Sequence, residues 1–125
     1  MRLPISLALG WPNRVADAAR PLDFSQASTW EFEPLDDKVF PAVELARQAA
    51  TVGGVMPAVF NAANEEAAVE FLAGGLSFPR IVDCIGEVMQ ECSHLTGIPR
   101  DMADVVETEK EARAKAHERM RQWHS

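Results

Sequence analysis

Over the last two-thirds of the chain, apolar side chains recur at helical spacing, and glycine or proline interrupts the pattern between stretches. Residues 40–52, 57–72 and 79–95 each carry apolar side chains on one face and polar or charged ones on the other, as amphipathic helices do. Glycine pairs follow the first two stretches, Gly53-Gly54 and Gly74-Gly75, where they are expected to end the helices. The pattern therefore predicts helices that bury a shared apolar face against one another.

A fourth helix is predicted to follow a short turn at residues 102–106. The run Thr108-Glu109-Lys110-Glu111 matches a capping box, which predicts that this helix begins at Thr108. Apolar residues then recur at spacings of four, four and three: Ala112, Ala116, Met120 and Trp123. Four amphipathic helices joined by short loops predict an all-α fold, a four-helix bundle over residues 37–125.

Residues 1–36 have a different character, with four prolines, two tryptophans and little sustained periodicity. Residues 4–9 predict about a turn and a half of helix before Gly10 and Pro12. The alternation of apolar and polar residues over 29–33 predicts one short strand. Because a lone strand must pair with another, its partner is expected outside this chain. The segment is therefore predicted to be an extended linker.

The charge and the apolar content exclude several kinds of partner. The net charge is −7, and an acidic domain repels a phosphate backbone, so nucleic-acid binding is not predicted. No apolar run approaches the roughly 20 residues that span a bilayer, and no clean cleavage site of an export signal follows the chain start. Two cysteines in a chain without an export signal indicate reduced thiols, so a cytoplasmic location is predicted.

Candidates for catalysis and metal binding are few. No glycine-rich loop opens a helix, so no phosphate-binding turn is predicted. Glu65, Glu66 and Glu70 form a carboxylate cluster, but Glu66 and Glu70 point away from the apolar stripe, which favours a solvated face over a metal site. The histidines have no recognised ligand spacing and are predicted to be solvated: His94, His117 and His124. No catalytic and no metal-ligating residue is predicted.

The two cysteines lie on one predicted helix. Cys84 and Cys92 are about 12 Å apart along the helix axis, too far for a disulfide between them. Cys92 falls within the apolar stripe and Cys84 at its margin. A small buried hydrophobic role is therefore expected for Cys92.

Asn64 breaks the apolar pattern of its helix. On a helical wheel it falls between Phe60, Ala67, Ala68 and Phe71. A buried amide must find hydrogen-bond partners. Two interpretations remain open: a structural amide that ties a loop or another chain segment to the bundle, and an amide presented to an adjoining active-site domain.

Six segments match, in order, sequence patterns of one known family: Met1–Ile5, Ala8–Arg14, Pro21–Phe24, Trp30–Asp36, Phe40–Ala46 and Asn61–Glu65. The first two follow the pattern M-[RK]-x-P-I…A-x-x-[WY]-P-x-R, and the last is the motif N-A-A-N-E. On these residues the chain resembles the C-terminal part of the 1-deoxy-D-xylulose 5-phosphate reductoisomerases.

The resemblance implies an enzyme whose reaction centre lies in other domains. Family members isomerise and reduce 1-deoxy-D-xylulose 5-phosphate to 2-C-methyl-D-erythritol 4-phosphate in isoprenoid precursor synthesis, with NADPH and Mg²⁺ or Mn²⁺. Their dinucleotide fold, metal-binding carboxylates and phosphate-binding residues all precede the position of Met1. This chain is therefore expected to be architectural, inactive on its own and without a bound cofactor.

The resemblance also implies roles for three residues and for the two parts of the chain. The family's methionine at the position of Met1 packs near the nicotinamide, so Met1 is expected to contact the cofactor. Asn61 and Asn64 belong to the N-A-A-N-E motif and are expected to be structural. Residues 1–36 are expected to form the end of the catalytic domain and a linker, and residues 37–125 the C-terminal helical domain.

The expected partners are the remaining domains of the parent enzyme. Family members are usually homodimers through a central domain, which this chain lacks. The large apolar side chains of residues 1–36 are expected to pair two copies of the isolated chain, with a mobile arm as the alternative. An independent helical interaction module without catalysis is the competing hypothesis for the chain as a whole.

Overall fold

The helices predicted from the apolar period are present in the computed structural model, which describes residues 2–95 and 97–123. Within these ranges the chain is all-helical, as predicted, with five helices: α1 (Arg2–Gly10), α2 (Ala42–Val52), α3 (Met56–Leu72), α4 (Phe78–Glu91) and α5 (Met102–Trp123). The chain divides into two compact units, Met1–Glu33 and Pro34–Ser125. No helix among the described residues is long and apolar enough to cross a membrane.

Helices α3 and α4 form the centre of the second unit. They pack against each other, and each of them also packs against α2 and against α5. In the described part of the chain, α2 and α5 do not touch. The core therefore lies around the α3–α4 pair, with α2 and α5 as flanking helices.

Small side chains make this close packing possible. Each of the flanking helices and α3 contributes alanines that are almost inaccessible to solvent: Ala49, Ala62, Ala63, Ala67, Ala112 and Ala116. The larger core residues Val59, Ile85 and Val88 fill the space between them. Because an alanine adds only one methyl group to the helix surface, two helices can approach closely without a void between them.

The glycine pairs end α2 and α3 as predicted. The Gly53 N–H donates to the carbonyl of Ala49 at 3.0 Å, and Gly53 has φ +70°. Gly74 has φ +84°, and the Gly75 N–H donates to the carbonyl of Glu70 at 3.0 Å. A positive φ costs a residue with a Cβ free energy, which explains why glycine stands at both helix ends.

The predicted capping box at Thr108 is wrong. Helix α5 begins at Met102, and the Thr108 hydroxyl donates to the carbonyl of Asp104 at 2.9 Å, one turn earlier in the same helix. The cap is Asp101, whose carboxylate accepts a hydrogen bond from the Asp104 N–H at 3.1 Å. An acidic side chain at that position satisfies a free N–H and favours an earlier helix start.

The predicted short strand is not confirmed. Residues 27–35 carry no regular structure, and no other segment of the described chain pairs with them. The ring centroids of Trp30 and Phe32 lie 6.4 Å apart at the surface. Residues two positions apart lie on the same side of an extended chain, so the alternating pattern accounts for this contact without a strand. A strand is stable only within a ladder, so alternation alone does not form one.

Both cysteines are buried, including Cys84, which the wheel placed at the margin of the stripe. Burial raises the pKa of each thiol to about 11. The thiols are therefore protonated near neutral pH and act as small apolar core residues.

Candidate functional site

The N-A-A-N-E motif lies on α3, and its two asparagines face different surroundings. Asn61 is exposed, whereas Asn64 is half-buried. Between them, Ala62 and Ala63 are fully buried in the core. The motif therefore anchors the centre of α3 and presents one amide on each side of the buried alanines.

Asn64 faces a groove of about 540 Å³, here called the α3–α4 groove. Its walls come from the start of α2 and the segment before it, from α3 and from the first turns of α4: Lys38, Val39, Phe40, Pro41, Ala42, Asn64, Ala68, Phe78, Pro79, Ile81, Val82, Asp83 and Ile85. Most of these side chains are apolar. The polar groups of the groove are the Asn64 amide, Lys38 and Asp83, and Asp83 is paired with Arg80 at 3.3 Å.

The Asn64 amide has no hydrogen-bond partner among the described residues, and its polar atoms are not sealed from solvent. An amide group can donate two hydrogen bonds and accept two. No loop of the described chain is therefore tied to α3 through Asn64. Its bonding capacity is directed into the α3–α4 groove.

Asn61 belongs to a network of ion pairs between α3 and α5. Its amide donates to Glu65 at 3.2 Å, and Arg113 donates to Glu65 and to Glu66, both at 2.6 Å. His117 Nε2 lies 3.0 Å from the second oxygen of Glu66. The network joins residues that lie far apart in the sequence, since Arg113 and Glu66 are separated by 47 residues.

The prediction that Glu66 is a solvated surface carboxylate is wrong. Its side chain is 19% exposed, and it contacts both Arg113 and His117. The wheel placed Glu66 opposite the apolar stripe of α3, but α5 packs along that side and covers it. His117, predicted to be solvated, is 54% exposed and yet paired with this carboxylate.

A second network joins α4 to α5. Arg119 contacts Glu87 at 3.1 Å and donates from Nε to Glu91 at 2.7 Å, and Lys115 Nζ lies 3.8 Å from Glu91. His94, next to this network, is exposed, as predicted, and its Nδ1 lies 3.1 Å from the carbonyl oxygen of Glu91. Most of the charged side chains that face other helices thus hold α5 in place.

Neither a cluster of metal-ligating side chains nor a glycine pair that opens a helix is found among the described residues. No group of three metal-ligating side chains occurs within residues 2–95 and 97–123. The glycine pairs end helices instead of opening them, so they present no cluster of free N–H groups to a phosphate. Met1 and His124 lie outside the described residues.

Residues 1–115 match the family described as the DXP reductoisomerase C-terminal domain. The chain belongs to this family. It is 68% identical over 123 residues to the 1-deoxy-D-xylulose 5-phosphate reductoisomerase of Corynebacterium jeikeium. The aligned region covers 98% of this chain and 30% of that relative. The enzyme of Mycobacterium ulcerans is 60% identical over 116 residues, 93% of the chain and 29% of the relative.

A solved structure agrees with this assignment to the DXP reductoisomerase C-terminal domain family. The reductoisomerase from Zymomonas mobilis in complex with NADPH matches with a TM-score of 0.73 at 36% identity. The match covers 94% of this chain and 31% of that one. The chain spans about three-tenths of the length of the curated relatives it matches.

For this C-terminal domain we expect Glu66→Ala to lower the free energy of unfolding by about 1–2 kcal/mol, because Arg113 and His117 lose a half-buried partner. Glu44→Ala is the matched control. Glu44 is 50% exposed and lies 3.9 Å from Arg47, so its loss should change stability by less than about 0.5 kcal/mol. Urea unfolding of both variants measures the difference, and equal losses would contradict the role of Glu66.

The same network predicts a loss of stability in acid. The hydrogen bond from Arg113, with a smaller contribution from Asn61, holds the pKa of Glu65 below its ordinary value of 4.5. A carboxylate with a lowered pKa stabilises the fold above its unfolded pKa, and this stabilisation disappears as the pH falls through the folded value.

We therefore expect the urea midpoint to fall as the pH drops below about 4.5. Glu65→Gln should make that fall shallower. Glu44→Gln should leave the slope as it is, because it removes the charge of an exposed carboxylate 3.9 Å from Arg47 and keeps an oxygen that can accept from Gln48. An unchanged acid slope in Glu65→Gln would show that the Arg113 pair is not coupled to folding.

Proposed function

We propose that this chain serves as the architectural C-terminal domain of a 1-deoxy-D-xylulose 5-phosphate reductoisomerase. The parent enzyme would convert 1-deoxy-D-xylulose 5-phosphate to 2-C-methyl-D-erythritol 4-phosphate with NADPH and Mg²⁺ or Mn²⁺. The observation that carries the proposal is the family match over residues 1–115 in a chain three-tenths as long as its relatives. NADPH and the metal ion would bind in the remaining domains, as the resemblance to the family implies, and within residues 2–95 and 97–123 no group of three metal-ligating side chains occurs.

The proposed role of the chain is to hold a rigid support beside those domains. The ion pairs of Arg113 and Arg119 are directed between helices of the same unit, which supports a structural use of its charges. Asn61 and Asn64 are structural residues in this proposal. Met1 remains the one proposed contact with the nicotinamide, and its support is the resemblance of residues 1–14 to the family.

The domain boundary is proposed at residues 36 and 37, with the end of the catalytic domain and a linker before it. The division of the chain between Glu33 and Pro34 supports a boundary in this region. We further propose a cytoplasmic enzyme with no nucleic-acid or membrane partner, supported by the net charge of −7. An independent interaction module is less well supported, since the relatives are about three times longer.

The size and the activity of the native polypeptide test this proposal. We expect the source cells to contain a polypeptide about three times the 13.7 kDa of this chain, and to find that it oxidises NADPH when given substrate and Mg²⁺. The 125-residue chain alone should show no turnover in the same assay, because its described residues include no phosphate-cradling turn. A mature native protein of 13.7 kDa, or turnover by the isolated chain, would contradict the proposal.

We also propose that the isolated chain forms homo-oligomers through residues 1–36. This segment exposes many large apolar side chains, among them Leu9 (84%), Phe24 (88%) and Phe32 (83%). Helix α1 has no buried residue. In the parent enzyme this surface would be covered by the other domains, and in the isolated chain a second copy is the available cover.

Sedimentation of two chain lengths distinguishes pairing from a mobile arm. We expect residues 1–125 to self-associate with rising concentration, whereas residues 37–125 should remain a folded helical monomer by sedimentation and circular dichroism. Removal of the arm deletes the exposed apolar side chains of residues 1–36 and none of the core. A monomeric full chain with a protease-sensitive arm would contradict pairing.

A further inference from the structure

We infer that residues 116–123, the last turns of helix α5 and here called the strap, open separately from the rest of the helical unit and thereby expose Cys84, while Cys92 stays covered. The inference goes beyond the proposed function, because it concerns contacts among α3, α4 and α5. The strap lies beyond residue 115, where the family match ends. It is a conformational device that shields one thiol when closed and presents that thiol to solvent when open.

The strap runs antiparallel along the first half of α4. At its end, the guanidinium carbon of Arg80 lies 4.6 Å from the centroid of the Trp123 ring. One turn earlier in the strap, Arg119 lies 3.1 Å from Glu87. Cys84 falls between Arg80 and Glu87 on α4 and is inaccessible to solvent. The strap therefore covers the Cys84 thiol.

The stretch of α5 that precedes the strap covers Cys92. Lys115 Nζ lies 3.8 Å from Glu91, the residue before Cys92. On the other side, Glu111 lies 3.6 Å from His94. Because these contacts flank Cys92, opening of the strap leaves this thiol buried. The two cysteines of one helix therefore report on two different stretches of α5.

The closed form of the strap predominates because opening exposes apolar surface. Ala116 and Met120 are buried in the core, and Trp123 is half-buried against it. Transfer of these side chains to water costs free energy. Opening is therefore transient, and a reaction that traps the open form is needed to detect it.

Two features restrict this opening to the strap. Its ion pairs lie near the surface, since the side chain of Arg119 is 34% exposed and that of His117 is 54% exposed. Ion pairs of this kind contribute little to stability and are screened by salt. In the preceding turn, Arg113 donates to Glu65 and to Glu66 at 2.6 Å, which holds that turn against α3. Opening of the strap therefore costs less free energy than unfolding of the whole unit.

Alkylation under native conditions measures the opening of the strap. Burial raises the pKa of both thiols to about 11, so a covered thiol reacts slowly with a reagent that needs the thiolate. The full-length polypeptide is treated with iodoacetamide at about pH 8, and peptide mass spectrometry follows the modified fraction of Cys84 and of Cys92. The thiolate sulfur displaces iodide and forms a carbon–sulfur bond, and the thiol proton goes to solvent.

We expect Cys84 to react at least about tenfold faster than Cys92, the ratio for an opening that costs about 1.4 kcal/mol less. Unfolding of the whole unit would expose both thiols together and give them equal rates. Equal rates, a faster reaction at Cys92 or no reaction at Cys84 would each overturn the inference.

A matched pair of variants tests the contacts that close the strap. Arg119→Gln removes the ion pairs with Glu87 and Glu91 and should raise the alkylation rate of Cys84 about fivefold, with the rate of Cys92 unchanged. The control, Lys110→Gln, removes the same charge from α5 before the strap.

The side chain of Lys110 is 68% exposed and lies 3.5 Å from Glu107, so the control should leave both alkylation rates unchanged. An equal rise at Cys84 and Cys92 in Arg119→Gln would show that Arg119 stabilises the whole unit. An unchanged rate at Cys84 would show that Arg119 does not hold the strap. Either result would overturn the inference.

Discussion

The close approach of α4 and α5 to the alanine face of α3 is the constraint on which the rest of the structure depends. Ala62, Ala63 and Ala67 are inaccessible to solvent, and a larger side chain at any of them would push a neighbouring helix away. The distance between helices then decides which charges can meet. Arg113 reaches both carboxylates of the N-A-A-N-E-E run because α5 lies this close to α3.

The same packing separates two environments along α3. On the α5 side, polar groups are satisfied within the domain by Arg113 and His117. On the side of the α3–α4 groove, Asn64 has no partner among the described residues and apolar side chains stand open. The two sides of α3 therefore differ in kind, because one side is closed by contacts within the domain and the other stays open to solvent.

Much of the fold was predictable because helix α4 and its neighbours repeat apolar residues at helical spacing over several turns. The helical spacing of apolar residues located α2, α3 and α4 to within a few residues, and the glycine pairs located the ends of α2 and α3. The start of α5 was missed because two signals compete. Asp101 caps the helix, while Thr108 offers a capping box seven residues later, within what is the interior of the longer helix.

The errors at the site have one physical origin, which is that a helical wheel describes one helix and not its neighbours. Glu66 lies away from the apolar stripe of α3, as the wheel indicated, but α5 brings Arg113 and His117 against it. Asn64 lies on the apolar side, as the wheel also indicated, but the groove leaves its amide open. Pairing depends on tertiary contacts between residues distant in sequence, which no local period encodes.

The ion pairs of α5 and the α3–α4 groove divide the polar and apolar surfaces of this unit between them. Arg113 joins α5 to α3, and Arg119 joins α5 to α4, so these charges are used between helices of the same unit. The α3–α4 groove leaves apolar side chains and the Asn64 amide open to solvent. The polar contacts that stabilise the fold and the open apolar surface therefore lie on different faces of α3.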